Sequence, residues 1–212
     1  MEISSAIMTA LYTVSISLLY PVILLLLALL VYSLILAGSF VSEYAQRNRD
    51  ITRIETECKR AKKDFEAGNQ SDASEIVKHC GSNEFLAAFT KDLAKLFDRS
   101  GFSLNAEKLL QDYEMKISKE LEHVRLLARV GPMFGLMGTL IPMGPALIGL
   151  ASGNIQQLAS NLVIAFGTTV VGLLVGVIGY SISMVKRRWY AQDLSDMEYI
   201  VELLVRKDEK EV

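Results

Sequence analysis

Between Val130 and Met184 the sequence has no Asp, Glu, Lys, Arg or His. Residues 1–40 carry one charge, Glu2, and no Lys or Arg. Gaps of this kind exclude a fully water-exposed fold. Cysteine is scarce too: there are two, Cys58 and Cys80, and they form no CxxC pair. That excludes a disulfide scaffold and leaves both expected as reduced, unpaired thiols. Cys58, His79, Cys80 and His123 match none of the common zinc-ligand spacings, so neither a metal nor a cofactor is expected. The net charge of −2 leaves no excess basic charge for nucleic acid. A cleaved signal peptide is not expected, because a basic n-region is missing and the apolar run is too long for its core. The chain also lacks a nucleophile–base spacing and a phosphate loop, so it is not expected to be an enzyme.

What is present is apolar residues, sorted away from the charges. Mean hydropathy is +0.30 although 22% of residues are charged, which requires a membrane part and a water-exposed part. The fold class expected is an all-α membrane protein with three transmembrane helices and long cytosolic helical extensions. Residues 1–20 place Ile3, Ile7, Leu11, Val14 and Leu18 at helical spacing with Ser and Thr between. This suits an interfacial helix, although one long tilted span also fits. Transmembrane helix 1 is expected over 21–40, with Pro21 in its first turn. A cytosolic helical domain follows over 41–129. Helix 2 is expected over 130–151, a short extracytoplasmic turn over 152–157, helix 3 over 158–185, and a C-terminal cytosolic amphipathic helix over 186–212. Each apolar arm has the roughly 20 residues that a bilayer core requires.

Within 41–129 charges of both signs alternate. Val41–Glu66 reads as one helix ended by Gly68-Asn69. Ser71-Asp72 caps a short helix to His79, and Ser82-Asn83-Glu84 starts another that ends near Arg99. From Leu104 a long helix carries Leu109, Tyr113, Ile117, Leu121, Val124 and Ala128 on one seam and runs without a breaker into helix 2. Lys186, Arg187, Arg188 and Trp189 mark a membrane boundary by their basic and aromatic character. Leu194, Met197, Ile200, Val201 and Leu204 continue at helical spacing, and 206–212 is expected to fray. Lys and Arg fall only in 41–129 and after 185. The positive-inside rule then puts the N-terminus outside and the C-terminus in the cytosol.

The hairpin arms are rich in Gly, Pro and Thr. Gly131, Gly135, Gly138, Pro142, Pro145 and Gly149 recur at steps of three or four in helix 2. Ala165, Thr169, Gly172, Gly176 and Gly179 do so in helix 3, with Asn161 one turn before. Small residues let membrane helices approach closely, so most of these glycines read as packing between the arms. Pro142 cannot donate to the carbonyl of Gly138, nor Pro145 to that of Ile141, so a helix break that shapes a pore is expected there. Thr139, Thr168 and Thr169 either bond their own backbone or line a hydrated path. No Asp, Glu or His lies in any span, so a titrating carboxylate must come from another chain if protons move.

Two motifs carry a resemblance. Helix 2 has Gly131-Pro132-Met133-Phe134-Gly135-Leu136-Met137-Gly138-Thr139, and helix 3 has Ala165-Phe166-Gly167-Thr168-Thr169-Val170-Val171-Gly172-Leu173. Their pattern and order resemble the MotA/TolQ/ExbB family of proton-channel and motor-stator subunits, and the three-span topology looks like its TolQ/ExbB branch. The resemblance implies a homopentameric ring in the cytoplasmic (inner) membrane around a single-span partner of ExbD, TolR or MotB type that carries a membrane aspartate. Flow of H⁺ or Na⁺ past that aspartate would drive rotation or force. Thr139 and Thr169 would line the path, with Thr168 secondary. The chain departs from the family pattern at Ile164, where a glutamate is common, and after Thr139, where Leu-Ile-Pro-Met-Gly-Pro follows. It therefore looks like a divergent member. The alternative is a non-conducting membrane scaffold or export ring with the same fold.

Overall fold

The computed structural model describes residues 2–47, 51–66, 69–81, 83–97 and 101–205. Its elements are α1 (Glu2–Ser17), α2 (Leu19–Gln46), α3 (Ile51–Glu66), α4 (Gln70–His79), α5 (Glu84–Ala94), α6 (Phe102–Ala151) and α7 (Ile155–Val205). Among the described residues there is no strand. The expectations for Gly68, Ser82, Arg99 and 206–212 fall outside the described residues.

The chain divides into two compact units. The first comprises Met1–Phe40 and Glu122–Met184, the second Val41–Leu121 and Val185–Val212. Among the described residues three helical stretches are long and apolar enough to cross a membrane: Ala6–Ala45, Phe102–Ala151 and Ile155–Val205. At about 1.5 Å per residue each exceeds the ~30 Å of a bilayer core.

In the first unit, α6 and α7 form an antiparallel hairpin. Their facing positions run from Ala128 opposite Gly179, through Gly135 opposite Gly172, to Gly149 beside Gln157. The turn is tighter than the expected 152–157, and local chemistry explains why. Gly153 adopts a left-handed φ of 73°. Its N–H donates to Leu150 at 3.1 Å, and the Asn154 N–H donates to Gly149 at 2.8 Å, so two end carbonyls of α6 are satisfied. Asn154 also caps α7: its side-chain oxygen accepts the Gln157 N–H at 3.0 Å. One residue thus closes one helix and opens the next.

The N-terminal segment is interrupted only at Leu18, between α1 and α2. Pro21 explains the position, because it cannot donate to the carbonyl of Ser17 and its ring crowds it. On α2, Val22, Leu26 and Ser33 are buried, whereas Leu24, Leu25, Leu27, Val31, Leu34 and Ile35 are exposed. An apolar face of that extent is what lipid or a neighbouring membrane helix covers. On α1, the Tyr12 ring lies over Gly144 of α6.

The second unit is a water-type helical core. Cys58 and Ala61 of α3, Ala73 and Val77 of α4, Leu86, Phe89 and Leu93 of α5, Tyr113 of α6 and Met197, Ile200 and Leu204 of α7 are buried together. Phe89 meets Tyr113 edge to face at 5.2 Å between ring centroids. Three readings change here. Val41–Glu66 is not one helix: α2 ends at Gln46 and α3 starts at Ile51, and Arg47 leaves the helix with its guanidinium held by Asp193. The short helix after it begins at Gln70, and its N-cap is Asn69 rather than Ser71-Asp72. α5 stops at Ala94, and Gly101, at φ 81°, turns the chain into α6 at Phe102, two residues before the expected start. The segment after Val185 is the continuation of α7, and its apolar stripe belongs to the core of the second unit.

Candidate functional site

The hairpin of the first unit is built on close backbone approach. A Cβ on Gly172 would sit 2.6 Å from the Gly135 Cα and 2.7 Å from the Gly131 carbonyl oxygen. One on Gly176 would meet the Pro132 ring at 2.6 Å, and one on Gly131 would meet Val175 at 2.8 Å. Gly131, Gly135, Gly172 and Gly176 are therefore brought together as a single seam. Lipid supplies no hydrophobic drive for helix association, so this contact depends on how near the backbones come.

Gly138 continues the seam toward the threonines. A Cβ there would lie 2.6 Å from Cβ and 2.7 Å from Oγ1 of Thr168. Because Thr139 follows Gly138 and Thr169 follows Thr168, the three threonines lie at one level of the hairpin. Thr168 is buried against Gly138, while Thr139 and Thr169 are half-buried. All three hydroxyls donate to their own helices: Thr139 to Leu136 at 2.8 Å, Thr168 to Ala165 at 2.9 Å, and Thr169 to Ala165 at 3.1 Å. What each hydroxyl still offers is its acceptor lone pairs. They can solvate a cation or order water, and they cannot titrate.

The prolines do not break α6, contrary to expectation. Pro132, Pro142 and Pro145 all lie inside one helix from Phe102 to Ala151. The removed N–H groups leave carbonyls without their usual donors, and a membrane helix tolerates this where neighbours pack around it. Pro142 is itself buried, and Gln157 of α7 donates to the Pro145 carbonyl at 3.5 Å.

In the second unit the four boundary residues divide. Arg187 and Arg188 are exposed. Lys186 is buried, pairs with Glu43 at 2.7 Å and donates to the Tyr190 hydroxyl at 3.3 Å. Trp189 is half-buried, with Arg47 over its ring at 4.9 Å and Tyr44 at 5.9 Å. Sequence reasoning missed the neighbouring node. Asp193 is 1% exposed and its Oδ1 accepts from Arg47 and, at 2.7 Å, from the Asn83 side-chain amide. Asn83 in turn caps α5 by accepting the Leu86 N–H at 2.9 Å. The available signal was an acid at helical spacing on the apolar stripe of Tyr190, Met197 and Ile200.

Comparison with known proteins fits the hairpin. Residues 78–199, more than half of the chain, match the model of the MotA/TolQ/ExbB proton channel family. The chain belongs to that family. No curated protein matches it at a significant level. The family match includes Thr139, Thr168, Thr169 and the whole glycine seam, together with α5 and most of the C-terminal half of α7. A MotA/TolQ/ExbB member is a membrane protein of channel type, with a proton-channel role in motor-like complexes, and the family is not one of enzymes. Its members generally oligomerise and work with ExbD-, TolR- or MotB-type proteins.

Proposed function

We propose that this chain is the ion-conducting subunit of a ring, closest to the three-span TolQ/ExbB branch and pentameric. In it, H⁺ or Na⁺ flow is coupled to rotation of, or force on, a single-span ExbD/TolR/MotB-like partner. The observation that carries this reading is the level of three threonine hydroxyls in a hairpin whose stretch Val130–Met184 has no Asp, Glu, Lys, Arg or His. Thr139 and Thr169, half-buried, would line the path with their lone pairs toward the ion. Thr168 would hold the wall through Gly138. The partner would supply the membrane aspartate that titrates. The ring would sit in the cytoplasmic membrane with the N-terminus outside and the C-terminus in the cytosol, as the distribution of Lys and Arg indicates.

The test is coexpression with an adjacent single-span gene, native mass spectrometry of the complex, and ion flux in proteoliposomes. Thr169→Val keeps shape and removes the lone pairs, so assembly should survive and flux should vanish. Retained flux refutes the path. A second reading, a non-conducting scaffold of the same fold, is favoured by one observation: every one of the three hydroxyls is already bonded to its own backbone. Under it Thr169→Val changes nothing, and the ring never retains a partner with a membrane aspartate.

A further inference from the structure

Asp193 is a buried carboxylate, 1% exposed. It belongs to the second unit and lies beyond the uncharged stretch that ends at Met184. Its two oxygens are treated very differently. Oδ1 takes both donors, Arg47 and Asn83, while Oδ2 is buried with no hydrogen-bond partner. A carboxylate with one bare buried oxygen is poorly solvated as an anion. A proton on Oδ2 removes that penalty without disturbing the Asn83 bond to Oδ1.

The guanidinium of Arg47 also has somewhere else to go. Its Nη2 already donates to the Trp189 carbonyl at 3.2 Å, and it stacks over the Trp189 ring. Both holds are independent of the charge on Asp193. We infer that Asp193 is a proton-binding site of this chain, taking up H⁺ on Oδ2 and thereby passing Arg47 from the carboxylate to Trp189. The step is a simple association: the carboxylate becomes a carboxylic acid, Arg47 keeps its charge, and no other group is consumed. The site rests on the second unit alone and stands whether or not the chain conducts ions.

The surrounding charges set the direction. Burial raises the affinity of Asp193 for its proton, Arg47 and Asn83 lower it, and Asp196 on the same helix raises it, with a net shift upward. One and two turns back on α7, Tyr190 and Lys186 are engaged with Glu43 from α2, and Glu120 from α6 faces Tyr190. The anion, and with it the Arg47 ion pair, therefore gives way on acidification at a pH above that of an ordinary aspartate.

Trp189 is the only tryptophan in the chain, so its emission reports on this node. The experiment is a fluorescence titration of the full chain in lipid nanodiscs from about pH 8 to about pH 4, which brackets carboxylate titration. Wild type should show one transition, above the range of exposed carboxylates, and Asp193→Asn should be flat. Asp196→Asn should move the transition to lower pH, and this arm keeps the test open if Asp193→Asn does not fold. A transition that survives in Asp193→Asn would place the proton on another group and overturn the inference. So would a wild-type protein with no transition, or one whose transition Asp196→Asn leaves in place.

Discussion

The glycine seam makes a graded prediction that needs no assay of function. Replacing Gly172 by Ala puts a methyl 2.6 Å from one backbone carbon and 2.7 Å from a backbone oxygen, and neither atom can rotate away. Ordinary contact begins at 3.4 Å, so α6 and α7 must part by close to an ångström along this turn. Overpacking of this kind costs about 1–3 kcal/mol. Alanine returns part of it, up to about 1 kcal/mol, because it suits a helix better than glycine. With that return taken in full, the net expectation is a loss of about 0–2 kcal/mol. Gly135→Ala meets its nearest neighbour at 3.1 Å and should cost less. Gly167 and Gly38 have nothing within 4 Å, so Ala there should be neutral or stabilising by up to about 1 kcal/mol. The measurement is reversible unfolding in mixed detergent–SDS micelles, followed by circular dichroism. The order of stabilities should be Gly167→Ala and Gly38→Ala above Gly135→Ala, and Gly135→Ala above Gly172→Ala. If Gly172→Ala proves as stable as Gly167→Ala, the two arms do not pack through this seam.

Gly153→Ala should cost about 1 kcal/mol in the same assay, since its φ of 73° is one that a side chain resists although nothing crowds it. Asn83→Ala removes both the cap on Leu86 and a donor to Asp193; the cap alone is worth about 1 kcal/mol, and hydrogen exchange should rise first at the start of α5. Lys95, followed by the Tyr113 hydroxyl, holds the Asp92 carboxyl below its usual value against the opposing effect of burial. Its contribution is therefore complete above the unfolded pKa of about 4 and is lost as pH falls through the lower folded value. Acid unfolding of Asp92→Asn should accordingly be less steep than that of wild type over that window.

How much of this could be read in advance depended on whether the partner of a residue lay close in sequence. The end of α6 at Ala151 follows from the polar break Ala151–Gln157, and the uninterrupted run from the insert into the hairpin follows from the lack of a breaker before Gly131. The path of α6 through Pro132, Pro142 and Pro145 did not follow. A proline signals a lost hydrogen bond, while the packing that lets the helix continue comes from α7, with Gly176 leaving space for the Pro132 ring. Lys186 shows the same limit. Beside Arg187 and Arg188 it looked like a third boundary charge, but Glu43, far away in sequence, takes it inward. Asp193, tied to Arg47 and Asn83, also has a setting made by distant segments.

The threonines carry the last step. A hydroxyl in a membrane helix has one donor and two acceptor positions, and here the donor of each is directed at a carbonyl three or four residues earlier. That bond fixes the side-chain rotamer and aims the remaining lone pairs in a set direction. A fixed array of acceptors favours a cation or an ordered water file and disfavours an anion. It also makes the sign of substitution depend on position. Thr168 is pressed on Gly138, so Thr168→Val keeps the wall and should be mild for assembly, whereas Thr168→Ala opens a gap against Gly138. Thr169 is less tightly enclosed, so a loss in Thr169→Val would be chemical and not steric. A site in which the buried threonine answers to volume and the half-buried one to lone pairs is a path with a wall. A site in which both answer only to volume is a packed seam and nothing more.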